Sequence, residues 1–287
     1  MKIKILITAA AMILLSFTSD KPAYRLFDKN GKKVKYEKMI KALNKADVIF
    51  IGELHNNPIS HWAELEITKE LLKLNPGGLV LGAEMFEADN QLILDEYSDS
   101  LISRKKFEAE MRLWPNYKTD YKPLVELAVK NKIKFVATNV PRRYANVVYS
   151  KGFEGLDNLT DEAKKYIAPL PITYDTTVNC YAKMLEDMKD SEHFNENIAK
   201  SQALKDATMS YFILKNLDEN KKFIHYNGAY HSDNHEGIVW YLKKERPDLK
   251  ILTVSTAEQD TIDKLDDEYK NKADYIFVVP ESMTKTY

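Results

Sequence analysis

The stretch VIFIGELHNNP, residues 48–58, changes character twice within a few positions. Val48, Ile49, Phe50 and Ile51 form an unbroken apolar run, rich in β-branched and aromatic side chains. That pattern is expected of a strand buried on both faces. Gly52 ends the run, and a polar segment, Glu53-Leu54-His55-Asn56, follows. Asn57 suits a helix N-cap and Pro58 the first helical position, so a helix is predicted from Pro58. Its apolar face is expected to carry Ile59, Trp62, Leu65 and Leu72. Strand, polar turn and helix in immediate succession make the repeating unit of an α/β protein.

The same succession recurs outward from this point. Gly77-Gly78 breaks the chain before a second apolar strand at 79–83, and a third lies at 134–138, followed by a helix after Pro141. Further strands are predicted at 223–226, 251–255 and 275–279, with a helix over 236–246 between the first two. Helical insertions are expected around 90–130 and 152–215, the latter with N-caps at Thr160 and Thr173 and a long helix over 197–217. Near the start, residues 24–28 and 33–35 flank Asn30-Gly31, a favourable hairpin turn. The predicted fold is therefore α/β: a mostly parallel central sheet flanked by helices, with helical insertions, in one domain over 20–287.

Residues 1–19 read differently. Lys2 and Lys4 precede an apolar run over 5–15, and the small residues Ser16, Thr18 and Ser19 follow. This is the pattern of a signal peptide, too short to span a bilayer comfortably, so export to the periplasm or cell envelope is expected. No cysteine follows the apolar run, so a lipobox anchor is not expected. The sole cysteine, Cys180, cannot form an internal disulfide and reads as a buried structural thiol. Lys+Arg (42) and Asp+Glu (43) nearly cancel and no basic face is evident, which argues against nucleic acid as a partner.

Chemistry collects at the carboxyl ends of the predicted strands. Glu53 and His55 follow the first, Glu84 the second, Arg142 and Arg143 the third, and Gly228-Ala229-Tyr230-His231 the fourth. Two of these segments, GELH (52–55) and GAYH (228–231), share a Gly-x-x-His spacing. In open α/β sheets the carboxyl ends of the strands face one crevice where ligands bind, so a shared site is expected. Carboxylates and imidazoles from Glu53, His55, Glu84 and His231 suit a divalent metal, or an acid–base pair without one. The arginines suit an anionic group on a ligand. His61 reads as a surface or cap-proximal histidine, and His225, within a strand, as packed or hydrogen-bonded. Gln202 and Asp206, four apart beside an alanine stripe, read equally as crevice residues or as a solvated edge. There is no GxSxG elbow and no Gly-rich phosphate loop.

The runs VIFIGELHNNPISHW (48–62), LGAEMFEADNQ (81–91), LWPNYKTDYKPLVELA (113–128), NVPRRYANVVYSKG (139–152), SQALKDATMSYFI (201–213) and YNGAYHSDNHEGI (226–238) resemble, in order, the ChaN-like haem-binding proteins of the Tiki/TraB superfamily. The resemblance implies an envelope protein that binds haem in iron acquisition and dimerises around it. Relatives in the wider superfamily are hydrolases, some metal-dependent, so the alternative implied is a hydrolase using Glu53, His55, Glu84 and His231. Members of the family are often lipoproteins, and with no cysteine after this chain's apolar run a lipid anchor is not expected. Haem needs an axial ligand such as His or Tyr, and Tyr230 and His235 beside GAYH are the candidates, with Arg142 and Arg143 receiving propionates.

Overall fold

The computed structural model describes residues 21–191 and 194–287; the expected leader lies outside the described residues. Seven strands form one sheet: β1 (Arg25–Asp28), β2 (Val48–Glu53), β3 (Leu79–Glu87), β4 (Lys134–Asn139), β5 (Lys222–Gly228), β6 (Ile251–Gln259) and β7 (Tyr275–Pro280), in the order β1-β7-β6-β2-β5-β3-β4. Every pairing is parallel except β1 with β7. The α/β fold with a mostly parallel central sheet is thus the one the apolar strand runs predict.

Alternation along the strands sorts the helices. Ile49 and Ile51 of β2, with Leu79, Leu81 and Ala83 of β3, face a core completed by α1 (Tyr36–Leu43), α2 (Pro58–Leu74), α3 (Gln91–Ser98), α4 (Arg104–Glu110) and α5 (Lys122–Asn131). Val48 and Phe50, offset by one residue, face the other side. Beyond α6 (Arg142–Lys151), the four-residue α7 (Asp161–Lys164) and α8 (Asn179–Met188), that second face receives α9 (Asn197–Lys215) and α10 (Ile238–Glu245) through Met209, Ile213, Val239 and Leu242. The chain runs from β2 to β3 towards one edge and from β5 to β6 towards the other. Right-handed crossovers then place α2 and α10 on opposite faces, as observed.

Four local expectations are corrected. The start is not a free hairpin: a single bridge joins Phe27 to Lys33, and β1 instead pairs antiparallel with β7, which lets Leu26 and Phe27 bury. A ladder to a core strand stabilises more than a short charged return strand can. The helix from Pro58 has its N-cap where expected, with Asn57 Oδ1 accepting from the Ile59 and Ser60 amides at 2.9 and 3.3 Å. Its inward face, however, is Ser60, His61, Ala63, Glu64, Ile67, Thr68 and Leu71, while Trp62 is exposed. Polar partners on the sheet draw the polar side inward, which apolar periodicity alone does not register. Thr160 caps α7 through the Ala163 amide at 3.2 Å, but no helix starts at Thr173. The strands, finally, extend beyond their apolar runs, so Glu53, Glu84 and Gly228 lie within strands and not in loops.

Cys180 is buried, and burial pushes its thiol up to about 12, consistent with a packed, unreactive side chain. Among the described residues no helix is long and apolar enough to cross a membrane.

The β2–β5 register sets Gly52 beside Asn227 and Glu53 beside Gly228. A Cβ on Gly52 would stand 2.9 Å from the Ala229 Cα and 3.3 Å from the Ser232 hydroxyl. Gly52→Ala is expected to destabilise by about 1–3 kcal/mol through overpacking, read as a lower urea midpoint at unchanged m-value.

Candidate functional site at the strand ends

The two Gly-x-x-His segments begin in the last residues of neighbouring parallel strands, so their glycines are brought within one layer of the sheet. Gly228 has no side chain to give the His55 ring trouble; a Cβ there would lie 2.7 Å from His55 Nε2 and 3.5 Å from Glu84 Oε2. From the next strand, Glu84 Oε2 accepts the Gly228 amide at 2.8 Å, and its backbone carbonyl accepts from Asn139 Nδ2 at 2.9 Å. The ends of β2, β3, β4 and β5 are therefore tied together by Glu84 and Gly228.

His231 is enclosed by acidic side chains. Its Nδ1 lies 2.5 Å from Asp206 Oδ1 and its Nε2 lies 3.2 Å from Glu84 Oε1, all three side chains buried. Burial works against charge on the ring, but Glu84 and Asp206 outweigh it and raise the imidazole to about 10. Burial likewise pulls the Glu84 carboxyl upward, and His231 more than reverses this, holding it below the ordinary carboxylate range. Tyr181 donates to Asp206 Oδ2 at 2.7 Å, and Gln202 sits against the His231 ring with Nε2 3.1 Å from Nδ1. The Gln202/Asp206 pair, which the sequence leaves open, thus belongs to the site.

Around the first motif the chemistry is different. Glu53 is buried, and its Oε1 accepts from His55 Nδ1 at 2.7 Å and from the Tyr121 hydroxyl at 2.6 Å. This fixes the His55 tautomer with Nε2 as the free nitrogen. Burial opposes charge on His55, while the hydrogen bond and charge of Glu53 raise its basicity. His61 is not on the surface: it is buried, with Nε2 3.0 Å from the His55 carbonyl and Nδ1 3.2 Å from Glu64 Oε2 and 3.5 Å from Glu53 Oε2. Burial, together with repulsion between the two carboxylates, raises Glu53 to about 8; burial raises Glu64 to about 8 as well. Asp120 and Tyr121 enter through a π-helical turn, Tyr117–Tyr121, a backbone irregularity common near functional sites.

Sequence reasoning misses His61, Glu64, Asp120 and Tyr121 here. The available signal is polar: Ser60, Glu64 and Thr68 recur at four-residue spacing on one side of α2, opposite exposed Trp62. His225 behaves as a strand histidine, buried with Nε2 2.8 Å from Thr138 Oγ1 and Nδ1 3.0 Å from Asn227 Oδ1, and burial lowers it to about 4.

Above these groups opens a cavity of about 490 Å³, lined by His55, Glu84, Trp114, Arg142, Tyr149 and Lys205 among others. The Trp114 ring meets the His55 ring edge-on, with centroids 5.1 Å apart. Arg142 is exposed and has no ion-pair partner among the described residues, whereas Arg143 pairs with Asp89 at 2.7 Å and stacks on Tyr144. Tyr230 and His235 do not line this cavity: the Tyr230 hydroxyl donates to the Cys180 carbonyl, and His235 Nε2 lies 3.1 Å from Asp274 Oδ2. Their nearness to GAYH in sequence is undone by two short 3-10 turns, Ala229–His231 and Asp233–His235, the second containing Asn234 and His235 at positive φ. His55 and His231 thus meet at Glu84 but play different parts. Among Glu53, His55, Glu84 and His231, only Glu53 belongs to a group at metal-ligand spacing, and its companions there are His61 and Glu64.

The family model described as "Haem-binding uptake, Tiki superfamily, ChaN" matches residues 39–242. Among solved structures, the chain is similar to a Campylobacter jejuni protein described as showing "Cofacial heme binding to ChaN", with a TM-score of 0.68, 21 % identity, and 89 % of this chain and 96 % of that one covered. It is also similar to a Bacillus cereus protein, with a TM-score of 0.50, 10 % identity, and 89 % and 95 % coverage. At these identities the likeness is one of fold. No curated protein matches.

The raised His231 makes a pH prediction. A histidine whose folded value lies above the ordinary 6.5 stabilises fully below pH 6.5 and loses that contribution as pH rises through about 10. His231→Gln is expected to cost about 3–5 kcal/mol at pH 6 by breaking a buried pair. The difference from wild type should shrink steadily between pH 7 and pH 10 in chemical denaturation.

Proposed function

The chain belongs to the ChaN family of haem-binding uptake proteins in the Tiki superfamily, and from that membership we propose that it binds haem in the strand-end cavity. The observation that carries this reading is Arg142, a guanidinium with no ion-pair partner among the described residues, lining a cavity that also presents Lys205 and Trp114. Arginine forks onto carboxylates, so Arg142 with Lys205 receives the propionates, and Trp114 packs against the porphyrin. Two lining side chains can reach iron, His55 through its free Nε2 and Tyr149 through its hydroxyl. Tyr149 has no hydroxyl partner among the described residues and shares α6 with Arg142. Bound haem supplies its iron as cargo, and the protein's part is to hold the macrocycle and shield one face of it.

The leader pattern at 1–19 supports export to the periplasm or envelope, where haem capture would serve iron acquisition. An open cavity covers one face of a flat ligand, so a second copy of the chain is the natural cover for the other, giving a haem-dependent homodimer. A hydrolase reading rests on a separate observation, the Glu53–His55 dyad, in which a buried carboxylate orients an imidazole that lines the cavity. It requires turnover of an ester or amide substrate that His55→Ala abolishes.

Hemin added to purified protein is expected to give a saturable, shifted Soret band. Arg142→Ala should weaken binding about tenfold with the band position retained, the loss of one charge-assisted contact. Whichever of Tyr149→Phe and His55→Ala moves the band identifies the iron ligand, while Tyr230→Phe should leave it unchanged. Hemin uptake no stronger than nonspecific adsorption overturns the reading.

A further inference from the structure

Beneath the cavity floor, Glu53, His61 and Glu64 offer ligand atoms that all lie within 4.8 Å of one another, and all three residues are buried. The hydrogen bonds decide what can lie between them. His61 Nε2 stands 3.0 Å from the His55 carbonyl, which can only accept, so Nε2 carries the proton. Nδ1 is turned to the other side, 3.2 Å from Glu64 Oε2 and 3.5 Å from Glu53 Oε2. Glu53 Oε2 and Glu64 Oε1 have no hydrogen-bond partner among the described residues. Asp120 adds a third buried carboxylate, 3.5 Å from His61 Nε2, and none of the three pairs with a lysine or arginine among the described residues. Carboxyl oxygens and an imidazole nitrogen thus converge on a buried centre, and two of those oxygens are left without a partner among the described residues.

We propose that Glu53, His61 and Glu64 form a binding site for one divalent transition-metal cation, separate from the haem cavity above it. One imidazole and two carboxylates suit Mn, Fe or Zn. The surroundings are those of a supported metal ligand set. His61 donates its other ring N–H to a backbone carbonyl, which fixes the tautomer and aims Nδ1 inward. Asn116 Nδ2 bonds that same carbonyl at 3.1 Å and also reaches Asp120 Oδ2 at 2.7 Å. Tyr121 holds the outer oxygen of Glu53, leaving Oε2 for the cation. Because Glu53 Oε1 also accepts from His55, the cation would act on His55 through a single carboxylate, linking the buried site to the cavity.

The test uses the full chain without hemin, so it stands apart from the Soret titration, and failure of either leaves the other intact. Metal content is measured on protein purified without chelator, and chelator-stripped protein is titrated with Co²⁺ and Mn²⁺. One equivalent is expected, with a Co²⁺ d–d band and a single imidazole nitrogen coupled to Mn²⁺ by pulsed EPR. Glu64→Gln, close to wild type in shape, should weaken uptake at least a hundredfold, and His61→Ala should abolish the nitrogen coupling. His231→Gln should leave the coupling in place. The wild-type spectrum alone is decisive where a variant fails to fold. Absence of stoichiometric uptake overturns the proposal and leaves the two carboxyls sharing a proton. Uptake that persists in Glu64→Gln but vanishes in His231→Gln overturns it in favour of the other motif.

Discussion

The parallel pairing of β2 with β5 depends on two positions without side chains, and the rest of the strand-end chemistry depends on that pairing. At Gly52 a Cβ would press on the Ala229 backbone, and at Gly228 it would occupy the space of the His55 ring. Close approach at these two points sets Glu53 level with Gly228 and leaves the Gly228 amide facing Glu84. Because parallel strands end on the same side of the sheet, residues far apart in the chain converge on one crevice. Glu84 then serves as the common tie: one oxygen holds a backbone amide of β5 and the other faces the imidazole that follows it.

The two motifs, so alike in spelling, do opposite physical jobs. His231 lies between two carboxylates in a buried setting, where they raise its basicity and it in turn holds Glu84 below the ordinary carboxylate range. His55 has one carboxylate partner and partial exposure, so one nitrogen is oriented and the other remains available. The difference arises from Asp206 on α9, which reaches His231 and has no counterpart at His55. Two copies of a motif need not share a role when different helices cover them.

Much of the architecture was legible along the chain. Apolar runs punctuated by Gly, Asn and Pro marked the central strands, and the N-cap at Asn57 was read correctly because capping is local chemistry. Convergence of Glu53, Glu84 and the Gly-x-x-His segments followed from the strand-end rule. What stayed hidden was the set of partners. His61 looked like a surface residue because its burial depends on Glu53, Glu64 and the π-helical turn at 117–121, the last of these remote from it in sequence. Tyr230 and His235 looked close to the site because they neighbour His231, yet turns at 229–235 send them to Cys180 and Asp274.

The sequence by itself determined the α/β class and which residue types would gather at the strand ends, since both follow from local periodicity and from the shared direction of parallel strands. Only the tertiary structure decided what each ionisable group can do. Protonation, tautomer and availability depend on burial and on the one or two groups within about 3 Å, the range over which a hydrogen bond or a buried charge acts. Those neighbours arrive from α2, α9 and the 117–121 turn, and no spacing along the chain reveals that they meet.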